Sequence, residues 1–249
     1  MAASSFVRAI RPARRARSRR RTVSVLMLLV LLMSAVGVLT APAALADQTI
    51  ISASGPLTSI RTSNELHCEV HHIDNPHSYG EFYGNDSCGT FVALNGTLYG
   101  WLETPFTFVS QSTVLGTGNC SPSCDPFRIV TEVALGSTGV RLIQTDSYLP
   151  GEPQYRTDMQ LINNSGSPIS PIVYRAADCY LRGNDSGFGM TFPDGGVACA
   201  RIDDSGSRVE RWAPLPSSDP NVAVRFYQAG YNEVYNAVSS QQPFPNTCR

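Results

Sequence analysis

Residues 90–99 read Thr-Phe-Val-Ala-Leu-Asn-Gly-Thr-Leu-Tyr, and they are the clearest indication of how this chain folds. Asn95-Gly96 tolerates the positive φ angles of a type I′ turn, and β-branched and aromatic residues lie on both sides of it. The stretch therefore predicts a tight hairpin with strands over 90–94 and 97–99.

Similar patterns follow along the chain. Residues 127–135 and 140–148 flank a Gly-Ser-Thr-Gly turn, and alternation in the second segment favours paired strands. Segments 155–162 and 169–174 surround another cluster of turn residues, so the meander is expected to continue there.

The C-terminal part adds strands over 208–212 and 222–227 and then one helix. Tyr231, Val234, Tyr235 and Val238 have the i, i+3, i+4, i+7 spacing of an amphipathic helix, which a proline at 243 would end. The sequence predicts an all-β domain over 47–249. It is expected to form an antiparallel β-sandwich, a supersandwich-like arrangement being one form, with one short C-terminal helix.

Residues 1–46 have the pattern of a signal peptide. They contain eight arginines and no acidic residue, an apolar run from Val23 to about Leu39, and the small residues of Ala44-Leu45-Ala46. Cleavage would release Asp47. The alternative is an uncleaved anchor, since the apolar run is near the spanning minimum of about 17–20 residues. We expect a secreted, extracellular or cell-surface protein without a membrane span after cleavage.

Charge limits the partners of the remaining chain. Residues 47–249 hold eleven arginines against twenty acidic residues, which argues against nucleic acid or an anionic membrane as partner. The chain has no lysine, so Schiff-base chemistry and a lysine nucleophile are excluded.

All seven cysteines lie in 47–249, and an exported chain favours disulfides over metal thiolates. Proximity in the sequence suggests three pairs among many connectivities: Cys68–Cys88, Cys120–Cys124 and Cys179–Cys199. Cys248 is left over, so the pairing is different, the thiol is free, or its partner lies beyond this chain. We expect a free thiol in a domain that is incomplete at its C-terminus.

Two metal sites can be considered. His67, Glu69 and His71 would point to one side of a strand, as zinc ligands could, although exposed polar residues show the same pattern. Gly84-Asn-Asp-Ser87 recurs at 183–186, and such oxygen-rich loops can hold calcium, although the same residues form ordinary turns. No other cofactor is indicated.

A chymotrypsin-like serine protease is a less favoured interpretation. His67-Cys68 and the later Asn184-Asp185-Ser186-Gly187 are similar to the motifs of that family. However, Glu65-Leu66 precedes the histidine instead of small residues, and Phe188 stands where a glycine should supply an oxyanion-hole amide.

Aromatic rings could form a platform for stacking sugars, although most are expected in the core. The candidates are Tyr79, Phe82, Tyr83, Trp101, Trp212, Phe226, Tyr227 and Tyr231. A carboxylate pair for glycoside hydrolysis cannot be chosen among twenty acidic residues without geometry.

Five stretches carry a resemblance to a known kind of protein. They are Ile51-Ser-Ala-Ser-Gly-Pro-Leu-Thr-Ser-Ile60, Glu81-Phe-Tyr-Gly84 with Cys88-Gly-Thr90, Tyr155-Arg-Thr-Asp158, Tyr174-Arg-Ala-Ala-Asp-Cys179 and Gln241-Gln-Pro-Phe-Pro-Asn-Thr-Cys248. Together they resemble the N-terminal module of secreted actinobacterial, Streptomyces-like surface proteins, in which further strands and Ig-like repeats follow. The resemblance implies location and architecture, and it brings no catalytic motif.

The favoured function is therefore a non-catalytic secreted or cell-surface module that binds a glycan or a surface protein. The alternative is an extracellular carbohydrate-active hydrolase or lyase. A concave pocket with two converging carboxylates and a perturbed pKa would favour the enzyme.

Overall fold

The computed structural model describes residues 47–74, 77–84, 86–203, 206–217 and 219–249. The predicted signal peptide, 1–46, lies outside the described residues. No helix in the part of the chain that the structure describes is long and apolar enough to cross a membrane.

Two four-stranded antiparallel sheets form much of the domain. The meander sheet has strands in sequence order: β1 (Gln48–Ile51), β2 (Leu57–Thr62), β3 (Cys68–Asp74) and β4 (His77–Gly80). In the front sheet the order from one edge to the other is β12 (Arg156–Asn163), β11 (Val140–Tyr148), β10 (Phe127–Ala134) and β7 (Thr107–Gln111). In β11 buried and half-buried residues alternate, so one face of the front sheet enters the core.

Two three-stranded antiparallel sheets complete the architecture. The central sheet has the order β13 (Ile172–Ala177), β5 (Cys88–Leu94) and β6 (Thr97–Tyr99). The outer sheet has the order β14 (Phe188–Thr191), β15 (Val197–Asp203) and β16 (Gly206–Trp212). Every residue of β5 is buried, because both faces of the central sheet are covered.

The smaller elements are two strand pairs and one helix. β8 (Asn119–Cys120) pairs with β9 (Cys124–Asp125), and β17 (Tyr227–Gln228) pairs in parallel with β18 (Thr247–Cys248). Helix α1 spans Tyr231–Ser239. The parallel β17–β18 pair departs from the otherwise antiparallel arrangement of the named strands in the described chain.

The core shows the sandwich layering. Ile50, Ile60 and Val70 of the meander sheet pack in one cluster with Ile129 and Tyr148 of the front sheet. The front sheet thus covers the meander sheet from one side.

The same front sheet also covers the central sheet. Val92 and Leu94 of β5 pack with Val133 and Leu142 of β10 and β11. The opposite face of the central sheet is covered by α1 through a separate apolar cluster. The prediction of an all-β sandwich with one short C-terminal helix is confirmed.

Local predictions agree with the structure at several points. Asn95 and Gly96 have φ of 53° and 79°, as the hairpin between β5 and β6 requires. β10 pairs with β11, and the helix begins at Tyr231. The structure also contains the three disulfides that sequence proximity suggested, namely Cys68–Cys88, Cys120–Cys124 and Cys179–Cys199. Cys248 is free and exposed.

Two expectations are wrong. Segments 155–162 and 169–174 do not continue one meander, because β13 crosses to the central sheet and pairs with β5 instead of β12. That position covers β13 on both faces, since Val173 packs with the front sheet while Tyr174 packs with α1. The predicted strand over 222–227 is reduced to Tyr227–Gln228, because the apolar side chains before it, such as Val222 and Val224, are exposed and gain nothing from pairing.

Candidate functional site

A cleft of about 370 Å³ opens where the end of β13, the outer sheet and the first turn of α1 meet. Its walls come from segments distant in sequence: 175–189, 197–200, 227–231 and the C-terminal residues 244 and 249. The volume lies within the range of about 300–1,000 Å³ that is common for small-ligand sites.

Five aromatic side chains line this cleft: Phe188, Trp212, Tyr227, Tyr231 and Phe244. Phe188 and Tyr231 are the most accessible, with 48% and 45% of their surface exposed. The ring of Tyr231 lies 4.7 Å, centroid to centroid, from that of Tyr235, one helical turn later. The cleft therefore presents two partly exposed aromatic rings, one of which packs against a second ring of the same helix.

Two carboxylates also line the cleft. Asp178 follows β13, and strand alternation places it on the face of Tyr174 and Ala176, which is the face toward α1. The pKa of Asp178 is raised to about 6, mainly by burial and to a smaller extent by the charge of Asp185. Among the described residues neither side chain has a hydrogen-bond or ion-pair partner, so both remain available to a ligand.

The two arginines at the cleft are already paired. Arg249 Nη1 lies 3.3 Å from Glu233 Oε1 at the start of α1. Arg175 donates from Nη1 to Thr90 Oγ1 at 2.9 Å and from Nη2 to Tyr155 Oη at 3.0 Å, which turns its guanidinium toward the interior of the sandwich. The protein thus already provides hydrogen-bond acceptors for Arg175 and an ion-pair partner for Arg249.

Trp212 is hydrogen-bonded to Glu210, which lies close to a second buried acidic residue, Glu81. Trp212 Nε1 donates to Glu210 Oε1 at 3.1 Å, and Arg208 Nη2 donates to Glu81 Oε1 at 2.7 Å. Burial, and then the charge of Glu81, raise the pKa of Glu210 well above its usual range. The bond to Glu210 orients the indole ring in the cleft lining, and the Arg175 guanidinium carbon lies 5.8 Å from the ring centroid.

No protein-family model, curated protein or solved structure matches this chain.

The structure brings together two of the three residues predicted to bind zinc, Glu69 and His71, whereas the third, His67, contacts Asp86. His71 Nε2 lies 2.8 Å from Glu69 Oε1, and Arg61 Nη1 donates to Glu69 Oε2 at 3.2 Å. His67 Nδ1 instead lies 2.9 Å from Asp86 Oδ1. Within the described residues no three His, Cys, Asp or Glu side chains form a group that could hold a metal ion. The zinc site stays a prediction, because the described structure does not bring three suitable ligands together.

The two predicted calcium loops have separate surroundings. In the second loop Asn184 Oδ1 accepts from the backbone N–H of Ser186 at 2.8 Å, which is a local turn contact. In the first loop Asp86 is held by His67, and Asn85 lies outside the described residues.

The residues suggested for a serine protease do not form a catalytic pair in the described chain. Ser186 lines the cleft, whereas His67 packs against Trp101 with 5.8 Å between ring centroids, and no hydrogen bond joins His67 to Ser186. The nucleophile-to-base contact that such chemistry requires is missing between these two described residues.

The aromatic candidates fall into three groups, because Tyr79, Tyr83 and Phe226 lie outside the cleft lining without being buried. Trp212, Tyr227 and Tyr231 line the cleft, whereas Phe82 is buried in the sandwich and Trp101 packs against Phe91 and Tyr235. Sequence reasoning did not propose a binding role for Asp178, Asp185, Phe188 or Phe244, which all line the cleft. All four lie within stretches quoted for other reasons, but only the fold places them together.

Proposed function

We propose that this protein is an extracellular, non-catalytic glycan-binding module and that the cleft is its glycan-binding site. The observation that carries the proposal is the pairing of exposed ring faces, Phe188 and Tyr231, with unpartnered carboxylates, Asp178 and Asp185. Aromatic faces stack on the apolar faces of sugar rings, and carboxylates accept hydrogen bonds from hydroxyl groups.

Placement outside the cell is supported by two further features. Three disulfides fit an oxidising compartment. The signal-peptide pattern of 1–46 and the resemblance to actinobacterial surface modules favour secretion or display at the cell surface. N-terminal sequencing of the exported protein should begin at Asp47, and a membrane-retained full-length product would contradict export with cleavage.

A glycan array tests the binding function. Wild-type protein should bind a defined set of glycans, and Tyr231→Ala should weaken that binding by about tenfold, the effect of losing one aromatic contact. Tyr83→Ala is the matched control, because Tyr83 is 54% exposed but lies outside the cleft lining. Absence of any bound glycan, or equal losses in the two variants, would contradict the proposal.

A second candidate is a carbohydrate-active hydrolase. The cleft has the features named above as favouring an enzyme, because two carboxylates line it and burial, followed by the charge of Asp185, raises the pKa of Asp178 to about 6. Such an acid and base pair is typical of glycoside hydrolysis. Asp178 would give its proton to the leaving oxygen, while Asp185 takes one from the attacking water.

Release of reducing ends from array-positive glycans separates the two candidates. Turnover by wild type that is lost in Asp178→Asn would establish the hydrolase. Binding without product over prolonged incubation would leave the non-catalytic module.

A further inference from the structure

The charges of the cleft define a narrower class of ligand than glycans in general. Asp178 and Asp185 have no partner among the described residues, whereas each neighbouring cation does. Arg249 is paired with Glu233, and Arg175 is held by Thr90 and Tyr155 while it interacts electrostatically with Asp146. The unsatisfied charge at the cleft is therefore negative.

Among the described residues, no cation is a cause of the shift in the pKa of Asp178. Helix α1 contributes Tyr231 and Tyr235 on this side, with the Tyr235 hydroxyl donating to the Ser87 carbonyl oxygen at 2.8 Å. The loop after β13 contributes Asp185, and the C-terminal segment contributes the paired Arg249. Both causes that act on the pKa of Asp178, burial and Asp185, oppose ionisation, and no described cation acts against them.

A ligand that brings a positive charge would relieve this repulsion. Tyr231 adds a ring that is exposed enough to face such a charge, and aromatic faces attract ammonium groups. A uronic acid or a sulfated sugar would instead place a third negative charge beside the two carboxylates. A neutral sugar would leave the repulsion unchanged.

We propose that the cleft selects glycans that carry free amino groups, such as N-deacetylated hexosamine chains, and that Asp178 and Asp185 bind the ammonium group beside the Tyr231 ring. This inference rests on the proposed glycan-binding function and names its ligand class.

The test uses two oligosaccharides that differ only in whether their amino groups are free or acetylated. Isothermal titration calorimetry would compare a β-1,4-linked glucosamine oligomer with the N-acetylglucosamine oligomer of the same length. The amine oligomer should bind at least about tenfold more tightly, as expected for charge-assisted hydrogen bonds at a partly buried site. Asp178→Asn and Asp185→Asn should each remove most of this preference.

Glu152→Gln is the control for net charge, because Glu152 is exposed and lies outside the cleft lining. It should leave the preference intact. Proton exchange gives an independent readout: in buffers of different ionisation enthalpy near pH 6, amine binding should release more protons, or take up fewer, in wild type than in Asp178→Asn, because only wild type loses the Asp178 proton.

The possible outcomes distinguish failure of the amine preference from failure of the proposed glycan-binding function. Equal affinity for the two oligomers, or a loss in Glu152→Gln as large as that in Asp178→Asn, would overturn the amine preference while glycan binding stands. Failure of both oligomers and of every array glycan would overturn the proposed function itself. If Asp178→Asn does not fold, the Asp185→Asn comparison still decides between these results.

Discussion

Asp178 shows how the fold changes the chemistry of a single side chain. Its pKa is raised from 3.8 to about 6 by burial and by the charge of Asp185. A carboxyl group with a raised folded-state pKa stabilises the fold fully below the unfolded-state pKa, and this contribution is lost as the pH rises through the folded-state pKa. Asp178 therefore makes the protein less stable as the pH rises from about 4 to above 6.

We expect Asp178→Asn to be more stable than wild type at pH 7 by about 1 kcal/mol, an amount reduced by solvent screening of this half-buried group. At pH 3.5 the difference should vanish, because the wild-type carboxyl group is then protonated. Urea unfolding of both proteins across this range checks the prediction. A difference that is constant with pH would show that Asp178 does not titrate as described.

Asp146 is the acceptor of a buried hydrogen-bond network inside the sandwich. Only 1% of its surface is exposed, and it accepts from Thr62 Oγ1 at 2.8 Å, Gln144 Nε2 at 2.8 Å and Thr157 Oγ1 at 2.6 Å. Its removal leaves these donors without an acceptor.

Asp146→Ala should therefore lower the free energy of unfolding by about 3 kcal/mol or more. Asp158→Ala is the control, since Asp158 forms an exposed ion pair with Arg156 and should cost under about 1 kcal/mol. Urea midpoints measure both changes, and similar losses in the two variants would contradict the importance of the network.

Elements whose signals are local follow directly from the sequence. The β5–β6 hairpin depends on Asn95-Gly96, and α1 depends on the spacing of Val234, Tyr235 and Val238, which are all buried as expected. The partner of β13 does not follow from local pattern, because its choice of β5 over β12 depends on which sheet covers both of its faces. Long-range pairing is set by packing that adjacent residues do not encode.

The disulfides should differ in what they contribute. Cys68–Cys88 and Cys179–Cys199 each span 20 residues and should each contribute about 3 kcal/mol, whereas Cys120–Cys124 spans 4 and should contribute about 2 kcal/mol. Cys68 and Cys88 are also almost fully buried, so replacing both by alanine leaves a cavity in addition.

Thermal unfolding of three double alanine variants tests this order. The Cys68/Cys88 variant should be least stable and the Cys120/Cys124 variant most stable. Cys179 and Cys199 line the cleft. Of the three variants, only the Cys179/Cys199 variant should therefore bind ligand more weakly when measured at a temperature at which all three are folded. An equal loss of affinity in the Cys120/Cys124 variant would contradict this assignment.

At the scale of the whole molecule, the cleft exists only after distant segments have packed together. Asp178 follows a central-sheet strand, Phe188 begins the outer sheet, Tyr231 starts α1, and Arg249 is the last residue. Of these residues, only Tyr231 was a ring candidate in the sequence analysis. Their convergence was not visible in the sequence, because it depends on how the central sheet, outer sheet and helix meet.

The most direct test of the account is to map where a glycan touches the folded protein. Backbone amide chemical shifts of isotope-labelled protein would be followed by NMR during titration with an array-positive oligosaccharide. We predict that the largest changes occur at Asp178, Asp185, Phe188, Gly189 and Tyr231. Changes centred on the meander sheet, around His67 to His71, with the cleft unperturbed, would contradict the central claim that the cleft is the binding site.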